Sequence, residues 1–182
     1  IKLRQKRKLL LSKGFRRCGC LSEQTILKDI GLYKNRLISC ILKSSEICDA
    51  MIMKENYDES DIDNLVYTQV FPYLYVDDTQ NNTLPYLCME VNIPRIPSHT
   101  IKDVQIVMWI YSHKECMSYS KKGYLGTRVD ILSDMVTREL FDSNKFGIGK
   151  LSLQSVRYFF PSNKYYGREL IFNTSDFKIK DQ

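Results

Sequence analysis

Nowhere does this chain approach about eighteen consecutive apolar residues, so it offers no transmembrane helix. Its N-terminal apolar run is only Leu9-Leu10-Leu11, too short for a secretion signal. Histidine occurs twice, at His99 and His113, and neither sits in a local signature with a serine or cysteine nucleophile. Ligand clusters are equally scarce. Cys18-Gly19-Cys20 and His113-Lys114-Glu115-Cys116 lie far apart, and a one-residue spacer is not the usual zinc spacing. Asp58 to Asp63 lacks the glycine and terminal glutamate of a calcium loop. Gly147-Ile148-Gly149 precedes a predicted strand, whereas a phosphate cradle needs strand, glycines and then a helix N-terminus. Glu90 and Asp103 fall on neighbouring predicted strands, but no lysine follows them as in a nuclease core, and they read as exposed-face charges. The expectation is a protein without catalytic residues, metal or cofactor, and not an enzyme. A triad assembled from distant segments would leave no local trace.

What the chain does have is the material of a folded domain. Its 182 residues match the length of roughly one domain. Hydrophobic residues make up 43% and charged residues 26%, and 12 Tyr with 8 Phe argue against a largely disordered polymer. A chain of this size can bury a core without disulfides. The six cysteines, Cys18, Cys20, Cys40, Cys48, Cys88 and Cys116, therefore read as free thiols of a reducing compartment.

Charge is unevenly placed. The first 22 residues hold eight of the 27 basic side chains and none of the 21 acidic ones. Lys2, Arg4, Lys6, Arg7, Lys8, Lys13, Arg16 and Arg17 define a basic N-terminal arm, residues 1–20, ahead of a nearly neutral body. Such an arm can bind phosphates through counterion release, which makes DNA a candidate partner. Phe15 is its only aromatic residue, so base stacking is not indicated. The competing reading is a solvated tail that orders against a neighbouring subunit.

Hydrophobic spacing gives the element order. A helix starts at Leu21-Ser22, with Ser22 as cap, and stops at Gly31. A second covers about 35–53, with Leu37, Ile38, Ile41, Leu42, Ile47 and Met51 at intervals of three and four. Residues 57–64 read as an acidic turn. Strands are predicted over 65–76, 86–93 and 101–113. In the last, Val104, Ile106, Met108 and Ile110 face one way, and Asp103, Gln105, Val107, Trp109 and Tyr111 the other. Thr127 caps a helix, with Asp130 in the capping-box position and a stripe of Val129, Leu132, Val136 and Leu140. Strands over 150–160 and 168–174 form a hairpin around the longer loop 161–167. The order α-β-β-β-α-β-β implies an α+β domain over 21–178, then a short tail over 179–182. Its sheet is mostly antiparallel, with about five strands flanked by helices.

Three stretches carry a family resemblance: Thr100 to His113 (TIKDVQIVMWIYSH), Gly126 to Leu132 (GTRVDIL) and Phe146 to Leu151 (FGIGKL). They resemble neck or tail-completion proteins of long-tailed phages, and the element order is similar to the tail-terminator fold. The resemblance spans about residues 22–178 and excludes the arm. It implies a structural virion subunit, assembled in the host cytoplasm, that forms a ring at the head–tail junction. A ring of six copies beside neck and tail-tube proteins is the implied assembly, with no membrane partner. That family has no catalytic residues to carry over. The alternative is a nucleic-acid-binding module acting through the arm. Tyr73, Tyr75, Phe159, Phe160, Tyr165 and Tyr166 are the candidate subunit-interface residues, because aromatic side chains supply large contact area. The bland reading is that they pack on their own domain.

Overall fold

A computed structural model describes residues 26–54, 56–76, 79 and 81–177. The arm, the helix start at Leu21-Ser22 and the tail over 179–182 lie outside the described residues. The first helix, α1 (Ile26–Lys43), runs straight through Gly31. Gly31 is exposed, while Tyr33, Leu37, Cys40 and Ile41 on the other side are buried. Burial of that face outweighs the roughly 1 kcal/mol that glycine costs a helix. The break comes instead at Ser44, whose extended backbone (φ −81°, ψ 107°) separates α1 from α2 (Ser45–Ile52). Met53, left-handed at φ 57°, closes α2.

The acidic stretch expected as a turn is a helix, α3 (Glu59–Asn64). The Asp58 side chain accepts the backbone N–H groups of Ser60 and Asp61, while the Asp61 carboxylate accepts the N–H of Asp58. This reciprocal cap satisfies otherwise unpaired donors, and acidic residues in the first turn suit the helix dipole.

The strand expected over 65–76 shrinks to β1 (Val70–Phe71). The Leu65 carbonyl instead accepts the N–H groups of Thr68, Gln69 and Val70, and Tyr67 adopts φ 64°. A local turn thus captures most of a segment that has strand composition. The remaining strands are β2 (Pro85–Arg95), β3 (Ile101–His113), β4 (Ser152–Ser162) and β5 (Tyr165–Phe177). They form one sheet of order β1-β2-β3-β5-β4, antiparallel except for the short parallel β1–β2 pair. The expected loop over 161–167 is much shorter: β4 and β5 run on and leave a tight turn at Asn163 and Lys164. The fold is the α+β, five-stranded, mostly antiparallel sheet with flanking helices that the pattern implied.

The alternation of β3 assigns the faces as read. Val104, Ile106, Met108 and Ile110 join Leu87, Met89, Val91, Leu170 and Phe172 on the helix side. Helix α4 (Arg128–Leu140) buries Val129, Leu132, Val136 and Leu140 against them. Its capping box is as expected: the Thr127 side chain accepts the Asp130 N–H, and the Asp130 carboxylate accepts that of Thr127. On the opposite face Phe71, Tyr86, Cys88, Tyr111 and Tyr165 form a second, smaller cluster. Gly167 permits this close packing. A Cβ there would lie 2.4 Å from the Ile110 carbonyl oxygen and 2.5 Å from the Tyr111 Cβ.

Candidate assembly surface

The six aromatic residues singled out in the sequence divide between interior and surface. Tyr165 is fully buried, set at 90° to Tyr111 with ring centroids 5.8 Å apart, and donates its hydroxyl to the Asn82 carbonyl at 2.7 Å. Its ring packs inside its own sheet and is not displayed. Tyr75 is half-buried and stacked on Phe71 at 4.2 Å, and its carbonyl accepts the Tyr111 hydroxyl. Phe159 is half-buried against Tyr111 and Trp109. These three residues complete the outer-face cluster. Tyr73, Phe160 and Tyr166 lie nearer solvent, with Tyr73 and Phe160 exposed and Tyr166 half-buried. The eight arm residues Lys2, Arg4, Lys6, Arg7, Lys8, Lys13, Arg16 and Arg17 fall outside the described residues.

The surface aromatics on β4 belong to a stripe that the sequence reading missed. Val156, Tyr158 and Phe160 recur at every second residue and are 52%, 62% and 49% exposed. Tyr158 stacks along Phe160 at 6.4 Å, and Phe160 meets Tyr166 at 5.4 Å. The period-two spacing was visible in the sequence, but what covers the face was not. Val156 pairs with Leu170 and Tyr158 with Arg168, so the stripe extends the helix-side face of the sheet. Leu170 is buried, whereas Val156 and Tyr158 stay open to solvent.

β4 is also the end of the sheet, and no described strand pairs with its outer side. Register shifts occur between Leu153 and Ser155 and again between Phe159 and Ser162. They bracket a regular run, Ser155 to Phe159, that presents unpaired backbone groups. Sheet proteins usually guard such an edge with lysine, proline or bulges. Here the bulges and Pro161 stand at the ends of β4, and the middle carries only Arg157. The opposite margin of the sheet is also partly open. β1 covers only Leu87 and Cys88 of β2, and Lys34 of α1 reaches Glu90 at 2.5 Å.

Two polar features cross-link elements on the helix side. Asp130 accepts the Arg168 Nε and Nη2 at 3.1 and 2.9 Å, which ties the start of α4 to β5. Burial alone would raise its carboxyl, but hydrogen bonds from Thr127 and Arg168 hold it below the ordinary value. Asp49 on α2 accepts the Tyr57 hydroxyl at 2.5 Å and the Lys121 ammonium at 2.9 Å. Its carboxyl is held low by Tyr57 first and by Lys121 second, while the Tyr57 phenol is pushed up to about 12.

At the far end of the sheet, Lys102 is buried with its ammonium against Asp29 and 3.6 Å from Asp176. The Tyr33 hydroxyl donates to Asp176, so α1, β3 and β5 meet there in one charged knot. Among the described residues no group of three His, Cys, Asp or Glu side chains stands together as a metal site. Cys40, Cys48, Cys88 and Cys116 are all free and buried. No helix among the described residues is long and apolar enough to cross a membrane.

No curated protein matches the chain. A family model described as YomW matches residues 44–174. That region starts at the break between α1 and α2 and takes in the whole of β4 with its stripe. It covers well over half of the sequence, and the chain belongs to the YomW family, a Bacillus phage-derived protein family.

Proposed function

We propose that the protein is a structural subunit of a phage particle, which works by fitting against copies of itself and adjoining components and catalyses no reaction. The observation that carries this reading is the open β4 edge. An unbulged run with free backbone groups lies beside the exposed side chains of Val156, Tyr158 and Phe160. A neighbouring strand can add to such an edge through main-chain hydrogen bonds, while the apolar side chains set the register. Two different sheet margins, β4 at one end and the outer side of β2 at the other, suit a head-to-tail contact. Contacts of that kind close into rings when the rotation per subunit allows it. A ring at the head–tail junction, of six copies beside neck and tail-tube proteins, is the assembly we favour. The phage origin of the family supports it.

The test is the oligomeric state of the purified full chain by native mass spectrometry, with cryo-electron microscopy of particles. A closed ring with β4 at the subunit contact is the expected result, and Tyr158→Glu should give folded monomers with unchanged circular dichroism. A wild-type protein that stays monomeric at micromolar concentration and is missing from particles ends this reading. The alternative, a nucleic-acid module acting through the basic arm, rests on residues outside the described ones. Loss of salt-dependent DNA binding when residues 1–20 are removed would favour it.

A further inference from the structure

A second surface feature lies along one flank of α1. Leu32, Asn35, Arg36, Ser39, Cys40 and Lys43 share one helical stripe, and with Lys145 from the loop after α4 they line an open surface groove of about 580 Å³. Three of these seven residues are cationic and none is acidic. Among the described residues no carboxylate forms an ion pair with Arg36, Lys43 or Lys145, whereas at least eight of the other fourteen described Lys and Arg residues have one. On its other side Arg36 borders a hollow that also holds Asp29 and Asp176.

Two of the three cations, Arg36 and Lys145, make further contacts. The Arg36 Nη1 donates to the Lys145 carbonyl at 2.8 Å, and its guanidinium lies 5.9 Å from the centre of the Tyr33 ring. The Lys145 ammonium reaches the Cys40 sulfur at 3.8 Å. Phe146, next in sequence, is fully buried and anchors the loop that carries Lys145.

We propose that this groove is an anion site for the phosphates of a nucleic-acid duplex, formed by Arg36, Lys43 and Lys145. Three cations without a carboxylate partner along one open groove are what phosphate neutralisation requires, and Asn35 and Ser39 add hydrogen-bonding groups beside the apolar Leu32. Arg36 and Lys43 are seven residues apart on one helix. That is about 10 Å along its axis, or roughly three base-pair steps of duplex. Free phosphate shares the chemistry but would not exploit that spread. In sequence, α1 begins three residues after a 22-residue stretch with eight cations and no acid, with Glu23 between them, and that stretch favours the same electrostatic partner. The site stands on the folded body and does not depend on ring assembly.

The experiment measures anisotropy of a labelled DNA duplex with the full chain, from roughly 50 to 200 mM salt. Lys43→Gln/Lys145→Gln is compared with Lys114→Gln/Lys122→Gln, which removes the same charge from exposed lysines elsewhere. Neutralising two phosphate contacts should make the slope of log affinity against log salt shallower by about 1.8. The control pair should leave it near the wild-type slope. Equal losses in both pairs, or no loss in the first, would overturn the proposal. A parallel titration uses inorganic phosphate alone, followed by amide shifts of residues 35–43 and 145. Shifts there together with an absence of duplex binding would identify a free anion as the ligand and equally overturn the nucleic-acid assignment.

Discussion

The guanidinium of Arg128 donates through Nη1 to the carbonyl of Ala50 at 2.6 Å, joining the first residue of α4 to the last turn of α2. That carbonyl is one of the acceptors a helix leaves unpaired at its C-terminus, and α2 has no basic residue of its own in that turn. Arg128 also donates to the Cys116 carbonyl at 2.6 Å, reaches the Ser118 carbonyl at 3.4 Å and lies 4.5 Å from the centre of the Tyr119 ring. One buried cation thus secures two helices and the loop between β3 and α4. Arg128→Met should lower unfolding free energy by about 3 kcal/mol, because charge-assisted bonds are lost and buried carbonyls are left unsatisfied. Urea denaturation reads the change. A shift below about 0.5 kcal/mol would mean that water replaces these bonds without penalty.

Two glycines should respond in opposite directions to the same added methyl group. At Gly31 a Cβ meets nothing within 4 Å, so Gly31→Ala should stabilise α1 by about 0.5–1 kcal/mol. At Gly167 the added carbon collides with the Ile110 carbonyl and the Tyr111 side chain, so Gly167→Ala should destabilise by about 3 kcal/mol and loosen the β3–β5 pairing. Thermal denaturation of both variants checks the signs. A destabilising Gly31→Ala would argue that α1 does not continue through that residue.

Acid should weaken the fold in a defined window. Asp49 and Asp130 both have carboxyls held below their ordinary value by hydrogen-bonding and cationic neighbours. Their contribution is fully present above the unfolded carboxylate pKa of about 3.9 and is lost as pH falls through the lower folded-state values. The urea midpoint should therefore be level from about pH 7 to 5 and drop below about pH 4, with a shallower drop in Asp130→Asn. A midpoint that stays constant down to about pH 2.5 would contradict the depressed values.

The Cys88 thiol should be inert while the protein is folded. Burial pushes it up to about 11, against smaller opposing effects of hydrogen bonds with Tyr75 and Tyr111. At pH 8 very little of it is the reactive thiolate. Peptide mapping after iodoacetamide treatment at pH 8 should find Cys88 unmodified in the native protein and alkylated in urea. Rapid native alkylation would show that the outer-face aromatic cluster opens readily.

Local pattern was enough for much of the architecture. The alternation along β3, the stripe of α4 and its Thr127–Asp130 cap were legible because each depends on side-chain spacing within one element. Among the six aromatics offered as interface candidates, the sequence could not separate exposed Tyr73 and Phe160 from buried Tyr165, because what covers each side chain lies on other strands. It misplaced the helix break at Gly31, because burial of Tyr33 and Leu37 against the sheet overrides a weak glycine penalty. It made a strand of 65–76, where the Leu65 carbonyl instead gathers three N–H donors into a turn.

What the sequence by itself determined, then, is which side chains share a face and which residues cap a helix, since those follow from repeats of 2.0 and 3.6 residues. Tertiary structure alone decided which face stays open. Tyr165 is buried while Tyr158 is exposed because β5 lies between two strands and β4 lies at the end of the sheet. It likewise placed Lys145 opposite Arg36, across more than a hundred residues of chain. Strand order and long-range contacts depend on how separate elements exclude water together, and no local repeat records that.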